Sequence, residues 1–256
     1  MIESLLFAGV FALGTVACRA ALRLVTKLAI LDHPNERSSH VRPTPRGGGM
    51  GIVAALVPGA AVGALLLPPG PAPAEIAVLG GAVVALAVLG GVDDRRGVRP
   101  AAKLLVQAAA AAAVVLAVGG VRRVALPGVG EVSLGAAGPV LTVAWLVAFS
   151  NGFNFMDGID GIASGSSVAT HGSLALVFFL GGEPGFASLA AVNTAASVGF
   201  LFFNYPPATV FMGDGGAIFL GMTAGALSLA AVQHRLLSFP AAILLMLPFL
   251  FDATGV

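Results

Sequence analysis

Aspartates gather in three short polar segments of an otherwise apolar sequence. NGFNFMDGIDG, at residues 151–161, carries two of them directly after an apolar run, and GGVDDRRG and FNYPPATVFMGDGG carry three more. In chain order the five are Asp93, Asp94, Asp157, Asp160 and Asp214. Carboxylates crowded together at low dielectric repel one another unless a cation or protons neutralise them. Because ligand sets made only of oxygen favour Mg²⁺ or Mn²⁺, the pattern predicts a divalent metal site.

A loop rich in arginine and glycine, LDHPNERSSHVRPTPRGGGMG, complements such a metal. Magnesium commonly shares its ligand shell with substrate phosphates, and arginine binds phosphate oxygens through a planar fork. The loop supplies three such side chains: Arg37, Arg42 and Arg46. Four glycines are expected to let its backbone approach a ligand closely: Gly47, Gly48, Gly49 and Gly51. Contact with anionic lipid headgroups is a second role that stays open for this loop.

Other polar residues beside these segments are candidate ligands of a substrate. Lys103 stands at the start of an apolar run, where it either reaches the membrane surface or contacts a phosphate. His33 and His40 stand in the arginine-rich loop, and their roles stay open. The candidate substrate-binding residues are Arg37, His40, Arg42, Arg46, Lys103, Asn151 and Asn154.

The composition identifies a membrane protein. Hydrophobic residues make up 57% of the 256 residues and charged residues 10%, against about 25% charged in an ordinary soluble domain. A net charge of +1 without a basic tract gives no electrostatic basis for binding nucleic acid. The single cysteine, Cys18, has no partner for a disulfide within the chain and is expected to be a packing residue.

Apolar runs of about 20 residues, the length that crosses a bilayer core, predict the fold class. An all-α polytopic membrane protein with about nine transmembrane helices is expected, forming one domain over residues 1–256. RRVALPGVGEVSLG predicts a small β-hairpin near 121–137 on the outer side. The nine runs lie near 4–25, 50–67, 74–92, 101–120, 138–153, 162–181, 185–203, 215–232 and 239–256.

The charges of the connecting segments predict the orientation. If every run crosses once, one set of connections carries eight basic residues and the other carries three, Arg122, Arg123 and Arg235. By the positive-inside rule the first set is cytoplasmic, which puts the N-terminus outside. All five aspartates fall on the cytoplasmic side, so we expect them to form one site there.

Taken in order between apolar runs, four segments resemble a known family. DHPNERSSHVRPTPRGGG, GGVDDRRG, NGFNFMDGIDGIASG and FNYPPATVFMGDGG look like the polyprenyl-phosphate N-acetylhexosamine-1-phosphate transferases of the bacterial inner membrane. The likeness covers residues 32 to about 252, and RSSH with PTPRGGG is closer to the branch that starts O-antigen and related lipopolysaccharide glycans. The resemblance implies ten or eleven transmembrane helices, with a homodimer left open.

The resemblance also implies a reaction. Undecaprenyl phosphate attacks the β-phosphorus of a UDP-N-acetyl sugar, and Mg²⁺ is required. The products are undecaprenyl-diphospho-sugar and UMP, and the sugar is GlcNAc or a deoxy-N-acetyl sugar. Phosphoryl transfer of this kind needs mainly positioning and neutralisation of charge.

Site roles follow from the same resemblance, position by position. Asp93 matches a candidate base for the acceptor phosphate, with Asp94 beside it, and Lys103 matches a lysine that contacts phosphate. Whether Asp93 acts as a base or as a covalent nucleophile stays open. Direct attack by the acceptor phosphate is favoured, because a phosphate monoester has its second ionisation near pH 6 and needs little help to lose its proton. Asn154, Asp157 and Asp160 match a segment near the nucleotide and metal. The implied catalytic residues are Asp93, Asp94, Asp157 and Asp160, and the implied metal ligands are Asp94, Asp157 and Asp214.

Two positions depart from the family pattern. Gly97 stands where the family often has a charged residue. The contact made by that charged residue is therefore expected to come from a neighbouring arginine or to be absent. The family's histidine-containing loop follows the ninth span, whereas this sequence ends at FLFDATGV within that span. The chain is therefore expected to be truncated at its C-terminus.

Three other protein classes are alternatives to this interpretation. A CDP-alcohol phosphatidyltransferase needs DGxxAR, and an aromatic prenyltransferase needs NxxxDxxxD; neither spacing occurs here. A transporter or ion channel is the alternative of a different class. It predicts ionisable residues near the bilayer midplane and two related halves with broken helices. Metal-dependent release of UMP would separate the enzyme from the transporter.

Overall fold

The computed structural model describes residues 2–28, 30–32, 43–66, 73–126, 128–245 and 247. Helices dominate this part of the chain, which confirms the all-α fold class. The bounds of α1 to α8 lie close to those of the predicted apolar runs, because each of these runs ends where polar, Gly or Pro residues begin. The helices are α1 Ile2–Lys27, α2 Met50–Leu66, α3 Pro73–Arg96, α4 Pro100–Val118, α5 Ala137–Met156, α6 Ile162–Leu180, α7 Pro184–Asn204, α8 Asp214–Gln233 and α9 Phe239–Leu244.

Six of these helices are long and apolar enough to cross a membrane. They are α4 to α8 over their full lengths and the Ala77–Arg96 part of α3. The chain is therefore a multi-pass membrane protein. As membrane spans, α1, α2 and the run that begins at α9 stay predictions.

Two short antiparallel strand pairs join the helices. The first pairs β1, Leu31–Asp32, with β2, Thr44–Pro45, and was not predicted. The second pairs β3, Arg123–Leu126, with β4, Gly130–Ser133, in a register that places Val124 opposite Val132. This second pair confirms the hairpin predicted near 121–137.

Helix α8 is the central element of the bundle. It packs against α3, α5 and α6, and 89% of its apolar window is buried, against 22% for α4. Three glycines, Gly215, Gly216 and Gly221, let neighbouring backbones come close to it, and Gly225 makes room for the side chains of Leu146 and Phe149. A helix surrounded on all sides is apolar all round, which agrees with its run of Ala, Leu, Ile and Gly.

The alternation of helix directions brings the aspartate segments to one end of the bundle. Helices α3 and α5 end at the same level at which α4 and α8 begin. The end of α3 therefore meets the start of α8, and the end of α5 lies beside both. The β3–β4 hairpin lies at the other end, one length of α8 away, which is about 30 Å for 20 residues.

Candidate functional site

Arg46 joins carboxylates from two helices. Its Nε lies 2.9 Å from Oδ1 of Asp94 on α3, and its Nη2 lies 2.5 Å from Oδ1 of Asp214 on α8. Asp32 is 3.9 Å from Nη1. Only 3% of each of the Asp94 and Asp214 side chains is exposed, against 34% for Arg46. The guanidinium thus neutralises two deeply placed carboxylates and keeps one edge toward solvent.

Lys103 forms a second bridge between the same two helices. Its Nζ lies 2.8 Å from Oδ2 of Asp93 and 2.8 Å from Oδ2 of Asp214. The other oxygen of Asp93 accepts a hydrogen bond from the backbone amide of Val98, just after α3. Asp214 therefore has Arg46 on one oxygen and Lys103 on the other, so α4 is tied to the network along with α3 and α8.

The end of α5 contributes Asn154 and Asp157 to this network. Asn154 donates from Nδ2 to Oδ2 of Asp214 at 3.4 Å. Oδ2 of Asp157 accepts from the amide of Gly213 at 2.6 Å. The NFMDG segment is thereby fixed against the start of α8.

Close backbone packing explains how α3 and α8 bring their aspartates together. A Cβ added to Gly90 on α3 would collide with backbone atoms of Asp214 and Gly215. Asp94 lies one helical turn beyond Gly90 on the same face. Its Oδ1 accepts from the amide of Asp214 at 3.1 Å, so the missing side chain at Gly90 makes this contact possible.

The role expected for the loop glycines is wrong for three of the four. Gly48, Gly49 and Gly51 do not open space for a ligand, since a Cβ added to any of them would collide with protein atoms. The amides of Gly48 and Gly49 donate to the carbonyls of Phe211 and Met212 at 3.0 and 2.9 Å. These glycines dock the loop onto the segment before α8, and that docking delivers Arg46 to the site.

Two other predicted residues lie outside the ionic network. Asp160 accepts from the amide of Ala208 at 2.8 Å, in the adjoining turn between α5 and α6. Asn151 lies one turn deeper in α5 and donates to Oε1 of Gln107 at 2.8 Å. Arg37, His40 and Arg42 lie outside the described residues, so their assignment as substrate ligands stays a prediction.

Two residues that support the site were not predicted. Asn204 accepts from the amide of Gly161 and the hydroxyl of Ser164 and donates to the carbonyl of Val210. It links the α5–α6 turn to the segment before α8. Gln107 is the partner of Asn151. Buried amides in apolar helices are a usable signal for both, because a buried polar side chain needs a partner.

Burial and charge act on the ionisable groups in opposite directions. Burial alone would lower the pKa of Arg46, but the negative charges of Asp94 and Asp214 outweigh it and raise that pKa above its ordinary value. Burial raises the pKa of Asp157 to about 7, although the Gly213 amide and the charge of Arg46 act in the other direction. The network thus holds Arg46 fully charged.

Oxygen atoms free for a metal remain in the site. Asp94 Oδ2 and Asn154 Oδ1 are buried without a hydrogen-bond partner, as is Asp160 Oδ1 in the adjoining turn. Within the described residues, no three His, Cys, Asp or Glu side chains are grouped closely enough to enclose a metal ion. Mg²⁺ usually binds through one or two carboxylates and completes its shell with waters and substrate phosphates. An open carboxylate oxygen on Asp94, beside Asp157 and Asp214, fits that mode of binding.

Comparison with known proteins places the chain in a family. The sequence model of glycosyl transferase family 4 matches residues 76–232, which contain all five aspartates. A Bacillus subtilis (strain 168) protein, named "Probable undecaprenyl-phosphate N-acetylglucosaminyl 1-phosphate transferase", is 33% identical over 218 residues, or 85% of this chain and 60% of that protein.

Two further relatives agree with this match. A decaprenyl-phosphate N-acetylglucosaminephosphotransferase of Mycolicibacterium smegmatis is 32% identical over 81% of this chain and 55% of its own length. A phospho-N-acetylmuramoyl-pentapeptide-transferase of Desulforamulus reducens is 44% identical over 37% of this chain and 28% of its own length. The chain thus spans 60% of the Bacillus protein and 55% of the Mycolicibacterium protein. With its matched segment and its apolar helices, the chain is a multi-pass membrane protein that belongs to glycosyl transferase family 4.

Proposed function

We propose that the chain transfers an N-acetylhexosamine 1-phosphate group from a UDP-sugar to a polyprenyl phosphate. The observation that carries the proposal is the network of Asp93, Asp94, Asp157 and Asp214 with Arg46 and Lys103 at one end of an apolar bundle. Such a site can bind phosphates at the end of the bundle, where the phosphate group of a membrane-embedded lipid substrate would lie. The names of the Bacillus and Mycolicibacterium relatives support the same chemistry.

In the proposed reaction an oxygen of the polyprenyl phosphate attacks the β-phosphorus of the UDP-sugar. The bond from that phosphorus to the bridging oxygen breaks, and UMP leaves with the bond's electron pair. Arg46 and Lys103 bind the phosphate oxygens. To do so, they give up part of their contact with Asp214. Asp93, beside Lys103, is placed to receive a proton from the acceptor phosphate. Direct attack is favoured over a covalent intermediate on Asp93, because the acceptor is largely ionised near neutral pH.

A divalent metal fits this site. By the resemblance, Asp94, Asp157 and Asp214 would hold it; Asp94 keeps an oxygen free for it, and Asn154 Oδ1 is a second buried oxygen without a hydrogen-bond partner. Bound Mg²⁺, or Mn²⁺, would neutralise charge on the transferring diphosphate. The aspartates themselves keep the Arg46 and Lys103 side chains aimed at one place, which reduces the reorganisation needed when the substrates arrive.

The finer form of the proposal concerns substrate and location. The acceptor is undecaprenyl phosphate, the donor sugar is GlcNAc or a deoxy-N-acetyl sugar, and the product starts a lipid-linked envelope glycan such as O-antigen. The protein acts in the bacterial inner membrane with the aspartate site facing the cytoplasm. The eight-to-three distribution of basic residues supports that orientation.

A transfer assay with lipid extraction tests the proposal. Purified protein in detergent is supplied with undecaprenyl phosphate, Mg²⁺ and one radiolabelled UDP-N-acetyl sugar at a time. We expect label from one sugar to pass into the organic phase, which would also identify the donor. Uptake of the same sugars by proteoliposomes, without labelled lipid, would instead support the transporter.

A further inference from the structure

A basic cleft lies at the end of the bundle opposite the aspartates. Its volume is about 660 Å³, and it lies between the β3–β4 hairpin and the connection from α8 to α9. Arg122, Arg123 and Arg235 line it together with Glu131. These arginines are the three basic residues predicted for the outer side, and the fold gathers them at one place although Arg235 is far from the others in sequence. We name this cavity the arginine cleft.

Glu131 leaves the arginine cleft with excess positive charge. Arg235 donates from Nη2 to Oε1 of Glu131 at 2.8 Å, and Nη1 of Arg123 lies 3.8 Å from Oε2. The lining of the cleft therefore carries three guanidinium groups and one carboxylate. The Arg123 and Arg235 side chains are 73% and 82% exposed, so their remaining N–H groups are open to a further anion, and guanidinium forks match phosphate oxygens best.

Arg235 has a backbone conformation that residues other than glycine rarely adopt. Arg235 has φ of 60°, and it is the one non-glycine residue of the described chain with positive φ. It follows the end of α8, where the amide of Leu236 closes the turn onto the carbonyl of Ala231 at 2.9 Å. Glycine is the favoured residue at this position of a helix end. An arginine held there costs strain, which is typical of a position kept for function.

An apolar cavity adjoins the arginine cleft. It has a volume of about 240 Å³ and lies among α2, α3, α4, α5, α7 and α8. Gln233, the last residue of α8, lines both this cavity and the cleft. Gly80 on α3 lines the cavity as well, and a Cβ added there would contact nothing within 4 Å. The basic cleft and the apolar cavity therefore meet at Gln233.

We propose that the arginine cleft binds the phosphate of an anionic membrane lipid, with part of an acyl chain in the adjoining cavity. The charge of the cleft selects the phosphate, and the apolar lining of the cavity selects a chain attached to it. This site is separate from the aspartate site, and it would couple the protein to the lipid composition of the leaflet at that end.

Variants of Arg235 test the headgroup part of the proposal. The whole chain, delipidated in detergent, is titrated with phosphatidylglycerol or phosphatidylcholine and followed by native mass spectrometry. We expect the wild type to retain phosphatidylglycerol, and Arg235→Gly to weaken that retention about tenfold, since one charge-assisted contact is lost. Because glycine relieves the strain, its Tm should not fall. Arg23→Ala, an exposed arginine of α1, is the matched control and should bind like the wild type.

A pair of neighbouring glycines tests the acyl-chain part. Gly80→Leu places a side chain in the apolar cavity, whereas Gly81→Leu places one in open space outside the cavity lining. We expect only Gly80→Leu to weaken retention of phosphatidylglycerol. Equal effects of the two substitutions would remove the acyl chain from the proposal.

Competition with soluble glycerol phosphate distinguishes binding of a lipid from binding of a free phosphate. It carries the phosphate without the chain, so it should displace phosphatidylglycerol poorly even in large excess. Displacement at equal concentrations would overturn the lipid assignment. Equal retention of phosphatidylcholine and phosphatidylglycerol by the wild type, or unchanged retention in Arg235→Gly, would overturn the site itself.

Discussion

At the scale of residues, Asp214 is the carboxylate that Arg46 and Lys103 share. Arg46 contacts Oδ1 and Lys103 contacts Oδ2, so both of its oxygens are neutralised. Asp94 differs, because its Oδ2 is buried without a partner. The two aspartates thus have different tasks before substrate binds: Asp214 holds the cations in place, and Asp94 keeps an oxygen free.

Replacing Asp214 by asparagine should abolish turnover. Asn keeps the shape but removes the charge that holds Arg46 and Lys103 and that would bind a metal. We expect kcat to fall at least about hundredfold, the size of effect typical of a lost electrostatic contact at a reacting phosphate. Initial rates of UMP release measure it, and Glu75→Gln at the other end of α3 is the control. A rate within a factor of a few of wild type would remove Asp214 from the site.

Replacing Arg46 by alanine should affect both stability and binding. It leaves the Asp94 and Asp214 carboxylates close together without their shared cation, which should lower the free energy of unfolding by about 3 kcal/mol. The KM for the UDP-sugar or for the lipid phosphate should rise as well. Arg46→Lys restores the charge without the fork, so an intermediate Tm is expected. Unchanged KM values for both substrates in Arg46→Ala would contradict the assigned role.

Sequence patterns predicted the aspartates of the site but not all of their supports. The five aspartates of the three polar segments are conspicuous in an apolar chain. Four of them, Asp93, Asp94, Asp157 and Asp214, lie together in the ionic network. The pairing of Asn151 with Gln107 was not predictable, because the two residues are 44 positions apart and no local pattern links them. The loop glycines were misinterpreted because a glycine that admits a ligand and one that admits a neighbouring backbone look the same in sequence.

At the scale of elements, the contact between α3 and α8 decides the geometry of the site. Gly90 meets the backbone of α8 at the residues that begin it, one turn before Asp94. Apolar length and Gly/Pro boundaries were enough to predict the helices. Which faces touch was not predictable, since a stretch such as VLGGV contains two adjacent glycines with nothing local to tell them apart.

Substituting Gly90 and Gly91 one at a time distinguishes an effect of helix packing from an effect of helix propensity. Gly90→Ala should push α3 away from α8, lengthen the contact between Asp94 and the Asp214 amide, and reduce kcat about tenfold or more, since small displacements at a reacting centre are costly. Gly91→Ala should be tolerated, because its Cβ would approach only Met50 Sδ, at 3.9 Å. Equal rates for the two variants would show that this contact does not position the site.

At the scale of the whole molecule, charge is divided between the two ends of the bundle. Acidic and basic side chains form the ionic network at one end, and the arginine cleft lies at the other. Hydropathy and the count of basic residues predicted this division. The place of Arg235 in the lining of the cleft depends on the path of the chain after α8 and could not be predicted.

Cysteine labelling tests the orientation. The described chain has one free cysteine, Cys18, which is buried, so Cys18→Ala gives a background for single substitutions. Val129, 71% exposed in the hairpin, changed to cysteine should react with an impermeant maleimide in intact cells. Arg96→Cys, at the aspartate end, should react only after permeabilisation. The reverse pattern would place the aspartates outside.

The most direct test of the central claim is release of UMP by the purified chain, with undecaprenyl phosphate and UDP-GlcNAc, in Mg²⁺ or in EDTA. Isothermal titration with UDP-GlcNAc accompanies it, so that binding is measured separately from turnover. We predict UMP release in Mg²⁺, its loss in EDTA, and recovery when Mg²⁺ is added back. A folded chain that neither binds any UDP-N-acetyl sugar nor releases UMP in Mg²⁺, or one whose UMP release is indifferent to EDTA, would contradict a metal-assisted phosphoryl-transfer site at the aspartates.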